Sequence, residues 1–180
     1  IKVHMIREEA YHMDTALREV PVVNERGRIV DETIMYYPGV FDPDTQLALA
    51  RRFPHALIVS AEDTASFAIN SPILGKVIIM DQRISPDLEE QINRRGMRVK
   101  RVNLSEFVKA GGGGKCLICE LDRDPFSLEL DHNRYIQMIE SPLGVLAVEY
   151  VNDPFMKGCV GTVNKGEANR QHAALIRALR

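Results

Sequence analysis

The feature of this sequence best able to do chemistry is a cysteine directly behind a run of glycines, Gly111-Gly112-Gly113-Gly114-Lys115-Cys116. Glycine reaches backbone conformations closed to other residues and lets main chain come close to a ligand. A thiol here can therefore stand at a pocket floor shaped by Gly112 to Gly114, with their amides facing the reacting centre. Lys115 would favour the nucleophilic thiolate if both side chains faced one way, but neighbours on an extended chain point apart. His12, in Tyr11-His12-Met13-Asp14-Thr15, is the second such residue. An imidazole near neutral pKa serves as acid and base for a cysteine that is distant in sequence but near in space. His4, His55, His132 and His172 compete for that role, with nothing local to single them out. Each residue also has a plainer reading, as an inert thiol in a flexible loop or a hydrogen-bonded structural histidine.

The elements that must hold these residues follow from periodicity and capping signals. Ile1 to Ile6 alternates as a strand would, and a hairpin is expected around Asn24-Glu25-Arg26-Gly27-Arg28, its second arm running from Ile29 to Tyr37. Asp42-Pro43 and Ser85-Pro86 each place a capping residue before a proline. Helices are expected behind them, ending near Phe53-Pro54 and at Gly96. Ser60 with Asp63 resembles a capping box opening a short helix. Short apolar strands are expected at Leu57 to Val59, Val77 to Met80 and Met97 to Val102, and the alternation of strand and helix points to an α/β fold. Residues 122–135 are polar and read as a linker. Beyond it, a strand is expected at Leu143 to Val151 and a helix with one apolar stripe from about Glu167.

Composition narrows the classes of function. The 180 residues are 45% hydrophobic and 27% charged, enough for one domain with a core. Lys plus Arg total 23 against 25 Asp plus Glu, so the net charge of -2 carries no basic stripe for nucleic acid. No apolar run is long enough to span a bilayer and the first residues lack signal-peptide order, so no membrane partner and a cytoplasmic location are expected. Three sparse cysteines, Cys116, Cys119 and Cys159, argue against a disulfide framework.

Several ordered landmarks carry a family resemblance. Tyr11-His12-Met13-Asp14-Thr15-Ala16, Tyr36-Tyr37-Pro38-Gly39-Val40-Phe41, Asn70 with Gly75, and Leu104 to Ala110 running into the glycines and Lys115-Cys116 resemble the C-terminal half of the dimethylarginine dimethylaminohydrolase and amidinotransferase group of guanidine-modifying enzymes. Residues 136–180, above all Val148 to Met156 and Ala168 to Leu175, resemble the opening of the same family, here placed after the segment it normally precedes. The resemblance implies a pentein-like fan of αβ repeats (an α/β propeller), partial or circularly permuted, with residues 1–121 as the catalytic segment. It implies Cys116 as nucleophile, His12 as its acid and base, and no cofactor. It also implies a small guanidino substrate; Asp14 would touch that substrate or orient His12, with a surface acid as its plainer reading, and Gly113 and Gly114 would lie against the substrate. The segment that carries the guanidinium-binding acids in the family has no visible counterpart, and Glu106 and Asp131 are acids of the right type without a matching position. A partial fan would leave repeat faces uncovered, so self-association or completion by a second chain is expected.

Two other classes stay open at this stage. Cys116-x-x-Cys119, Asp131-His132 and Cys159 could hold zinc as in HNH-type nucleases, though a single CxxC pair is a weak signal. A silent fragment kept for oligomerisation or ligand binding is the other.

Overall fold

A computed structural model of the chain describes residues 2–7, 12–121, 135–137, 156 and 158–180. The single helical turn α1 (Met13–Ala16) leads into β1 (Leu17–Val23), which pairs antiparallel with β2 (Ile29–Tyr36) in a register from Leu17 opposite Tyr36 to Val23 opposite Ile29. Asn24 closes the turn by accepting the Arg28 N–H at 3.0 Å, and Gly27 adopts a φ of 72° there. Pro21 is tolerated because β1 is an edge strand, with β2 as its one neighbour among the described residues. After a turn at Pro38–Val40, α2 (Pro43–Arg52) crosses over to β3 (Leu57–Ile58), parallel to β2. Asp42 caps α2, accepting the Thr45 N–H at 2.7 Å.

The next stretch repeats that plan. After α3 (Ala61–Ala65), β4 (Ile73–Leu74) pairs antiparallel with β5 (Val77–Asp81), and α4 (Pro86–Arg94) crosses over to β6 (Arg98–Val102), parallel to β5. Both sheets are thus an antiparallel pair followed through a helix by a parallel strand. Asp63, 2% exposed, ties the two caps together: its carboxylate accepts the Ser60 hydroxyl at 2.8 Å and the Ser85 N–H at 2.6 Å. The expected hairpin, cap-plus-proline helices and short strands are therefore present. The N-terminal strand is reduced to one antiparallel bridge, Met5 to Phe41, because the partner stretch is confined between the turn at Pro38–Val40 and α2, which starts at Pro43. The strand expected over 143–151 and residues 122–134 lie outside the described residues, and Tyr135 pairs in β8 (Tyr135–Gln137) against β7 (Cys119–Leu121).

Strand β5 divides two cores. Ile78 and Met80 face one built with Val20, Met35, Leu57 and Leu88, whereas Ile79 faces another built with Leu104, Phe107 and the last helix, α6 (Lys165–Leu179). The period of two along a strand produces this split. Asn164 caps α6, accepting the Glu167 N–H at 3.0 Å, which starts the helix just before the expected position. Among the described residues no helix is long and apolar enough to cross a membrane.

Helix α6 also organises α5 (Ser105–Lys109), whose own N-cap position, Leu104, has no side-chain cap. Gln171 supplies it from α6: its carbonyl oxygen accepts the Glu106 N–H at 2.9 Å and its amide donates to Ser105 Oγ at 3.0 Å. Glu106 returns the contact, accepting the Asn164 N–H at 2.7 Å and Lys109 Nζ at 2.8 Å. Burial alone would raise the Glu106 carboxyl, but these two donors outweigh it and hold it below the usual range. A depressed carboxyl stabilises the folded chain above its unfolded pKa, and that contribution is lost as pH falls through its folded value. Glu106→Gln should therefore lower urea-unfolding stability at neutral pH, with the gap to the native chain closing in acid.

Candidate functional site

The C-terminus of α5 delivers the glycine run. Gly111, at φ 78°, ends the helix in the left-handed conformation, and its N–H donates to Val108 O at 3.0 Å. The chain then passes so close to Asn70 that a Cβ on Gly113 would lie 2.6 Å from the Asn70 carbonyl oxygen, while one on Gly114 would lie 2.8 Å from Pro72 Cδ. Glycine is thus required at Gly113 by space. A short turn, Lys115–Leu117, follows and carries Cys116, which is exposed.

Asn70 is fully buried and organises this region. Its Oδ1 accepts the Gly113 N–H at 3.1 Å and the Cys116 N–H at 3.2 Å, its Nδ2 donates to Asp14 Oδ2 at 3.1 Å, and its backbone carbonyl accepts the Lys115 N–H at 3.1 Å. Two N–H donors at one end and a carboxylate at the other dictate the orientation of the amide. Asn70 is presented by a loop in which Phe67 holds a φ of 58°, a strained conformation for a bulky residue of the kind that collects near functional sites.

The structure therefore joins Cys116, Gly113 and Asp14 through one side chain and sets Gly114 against Pro72. His12 is exposed at the start of α1, two residues before Asp14; its carbonyl accepts the Thr15 N–H at 3.0 Å and the Thr15 hydroxyl at 2.7 Å. Of the competing histidines, His4 pairs with Asp42 at 3.2 Å, His55 is exposed, and His172 is buried against Phe107. Glu106 is committed to the α5–α6 junction. Asn70 appeared in the sequence only as a landmark. Its partner Gly113 lies 43 residues away, so no local pattern marked it.

Charge and desolvation act on the thiol together. Loss of water pushes the Cys116 pKa up first, although the residue as a whole is exposed, and the Asp14 carboxylate adds to the rise. The Asn70 side chain, the Gly113 N–H and the Lys115 charge pull against it without cancelling it. The Gly113 N–H itself is spent on Asn70 Oδ1, at 3.1 Å. Lys115 Nζ lies 3.9 Å from Asp14 Oδ2 at a partly exposed pair. Both residues line an open cleft of about 580 Å³ together with Arg18, Glu19, Glu32 and Ile73. Among the described residues no three His, Cys, Asp or Glu side chains converge as metal ligands; Asp131 and His132 lie outside that set.

No protein-family profile matches the chain. It is 32% identical over 139 residues to the bifunctional arginine dihydrolase/ornithine cyclodeaminase AgrE of Nostoc, covering 76% of this chain and 18% of that protein. It is 29% identical over 121 residues to the N(G),N(G)-dimethylarginine dimethylaminohydrolase of Mycobacterium tuberculosis, covering 67% and 37%. The N-terminal domain of ArgZ, solved with a reaction intermediate covalently bound, superposes with a TM-score of 0.54 at 30% identity over 64% of this chain and 40% of that one. This chain is a homologue of the guanidine-modifying enzymes. Its matches span 16% to 39% of the length of the curated relatives. The match to ArgZ extends to the mixed α/β architecture with its small sheets.

Gly113→Ala should cost about 1–3 kcal/mol, because the new methyl meets backbone that cannot swing aside. Urea unfolding measures the loss, and an unchanged midpoint would contradict the close approach at Asn70.

Proposed function

We propose that this chain carries the thiol-bearing part of an enzyme that hydrolyses a C–N bond of a small guanidino compound, an arginine-like or dimethylarginine-like substrate. The observation that carries this reading is the junction at Asn70, which holds the backbone of Cys116 and the carboxylate of Asp14 to one buried amide. The relatives named arginine dihydrolase and dimethylaminohydrolase support it, as does the covalent intermediate in ArgZ.

A guanidinium carbon is a poor electrophile because its charge is spread over three nitrogens. The reaction needs a thiolate, an acid for the leaving amine and an anion to fix the cation. The Asp14 carboxylate is that anion; it lines the cleft with Lys115, and Asn70 joins it to the backbone of Cys116. At rest it disfavours the thiolate; a bound guanidinium offsets its charge and favours ionisation. The Cys116 sulfur then bonds to the guanidinium carbon, and the C–N bond to the departing amine breaks as His12 gives that nitrogen a proton. Water next adds to the carbon while His12 accepts its proton, the C–S bond breaks, and a ureido product and the thiolate remain. An amine in place of water would give amidino transfer through the same intermediate.

Fold and assembly extend the proposal. The repeated strand–strand–helix–strand plan supports units of a pentein-like fan, partial or permuted in order, with residues 1–121 and 136–180 as its two parts. Because the matches span only part of each relative, further protein, from a longer chain or a second copy, completes the guanidinium clamp. The reaction needs no cofactor, and the cytoplasm, where thiols stay reduced, suits it.

The test is turnover of arginine, agmatine and methylated arginines, with release of amine and ureido product, alongside labelling of Cys116 by a small amidine electrophile. Cys116→Ala should abolish both, and His12→Ala should slow turnover by about 10²–10⁴-fold. Labelling that ignores Cys116, or turnover that survives its loss, would overturn the proposal.

A further inference from the structure

We propose that Asn70 is a positioning residue for the Cys116 thiol, a buried amide that locks Asp14 to the turn from Gly113 to Cys116 so that a change of charge at Asp14 is felt at the sulfur. The inference rests on the guanidino-hydrolase reading above and names the residue that links its anion to its nucleophile.

The hydrogen bonds of Asn70 leave its amide no freedom to turn. Both acceptor positions of Oδ1 are used, by Gly113 at 3.1 Å and Cys116 at 3.2 Å, and Nδ2 is turned to Asp14 at 3.1 Å. Rotating the amide would set nitrogen against two N–H donors and oxygen against a carboxylate. Its backbone is pinned as well: the carbonyl accepts from Lys115 N at 3.1 Å, and the N–H donates to Phe67 O at 3.0 Å in the strained loop. Gly113 has no side chain to hold it off.

Asp14 is otherwise only loosely restrained, since Lys115 stands 3.9 Å away and both side chains are partly exposed. Exposed pairs of that kind fix geometry weakly. The buried amide therefore sets where the Asp14 charge stands relative to the sulfur. A carboxylate accepting from Nδ2 also polarises the amide and strengthens the two bonds at its oxygen, so the three groups respond as one network. Of the described charged groups, Asp14 raises the Cys116 pKa and Lys115 lowers it, and Asn70 touches the carboxylate of the first and the backbone of the second.

The test is a double-mutant cycle on the full chain, reading the pH dependence of iodoacetamide alkylation at the Cys116 peptide by mass spectrometry. Asp14→Asn should lower the Cys116 midpoint by about 0.5 pH units or more in the native background, and by less than about 0.2 in Asn70→Ala or Asn70→Ser. Equal shifts in both backgrounds would overturn the proposal. Near-UV circular dichroism verifies that each variant folds. A second measurement needs no change at position 70: Asp14→Asn alone should speed amide hydrogen exchange at Gly113 and Cys116, and unaltered exchange there would also overturn it. Coupling that holds while a small amidine electrophile leaves Cys116 unlabelled would support the positioning role and remove the hydrolase reading instead.

Discussion

A primary amide can accept two hydrogen bonds at its oxygen and donate from its nitrogen, and burying it is tolerable only when those groups are matched. Asn70 meets that condition with partners from three stretches of chain: the turn at Asp14, the glycine run and the turn that carries Cys116. Much of the surrounding architecture serves this one match. The strained Phe67 loop presents the amide, the close approach at Gly113 requires glycine, and α5 directs the glycine run toward it. Removing one partner would leave buried N–H groups unmet, so the constraint acts on all three stretches at once.

The chemistry proposed for the site depends on the balance of forces at the sulfur. Desolvation and the Asp14 carboxylate keep the thiol protonated, while the Gly113 N–H, the Asn70 side chain and Lys115 hold the rise in check. A resting thiol of this kind is protected from indiscriminate reaction, because the thiolate is the reactive form. A cation entering the cleft beside Asp14 changes that balance in the direction catalysis requires. In the proposed reaction, the anion that suppresses the thiolate would also select the ligand able to release it.

Much of the fold was legible because its signals are local. Asp42 before Pro43, Ser85 before Pro86 and Ser60 ahead of Asp63 mark helix starts within a few residues, and each caps as expected. The hairpin around Asn24 follows from turn chemistry of the same range. Strand β4, two residues long, is too short for any periodicity, and residues 2–7 alternate like a strand while finding one bridging partner. At the site, Cys116 and Gly113 stood out by type and spacing. Asn70 did not, because its partners are joined only by folding. Glu106 looked like a free acid because Asn164 and Gln171, which use it, lie far along the chain.

The cap that Gln171 gives α5 has a consequence for the order in which the protein is made. Glu106 and Gln171 are 65 residues apart, so during synthesis α5 and the glycine run emerge well before the side chain that completes the helix start. Contacts so distant in sequence are closed late, after the local hairpin and the cap-plus-proline helices have formed. The start of α5 is therefore completed late, and a nascent chain from which α6 has not yet emerged would hold Cys116 on an unfinished support.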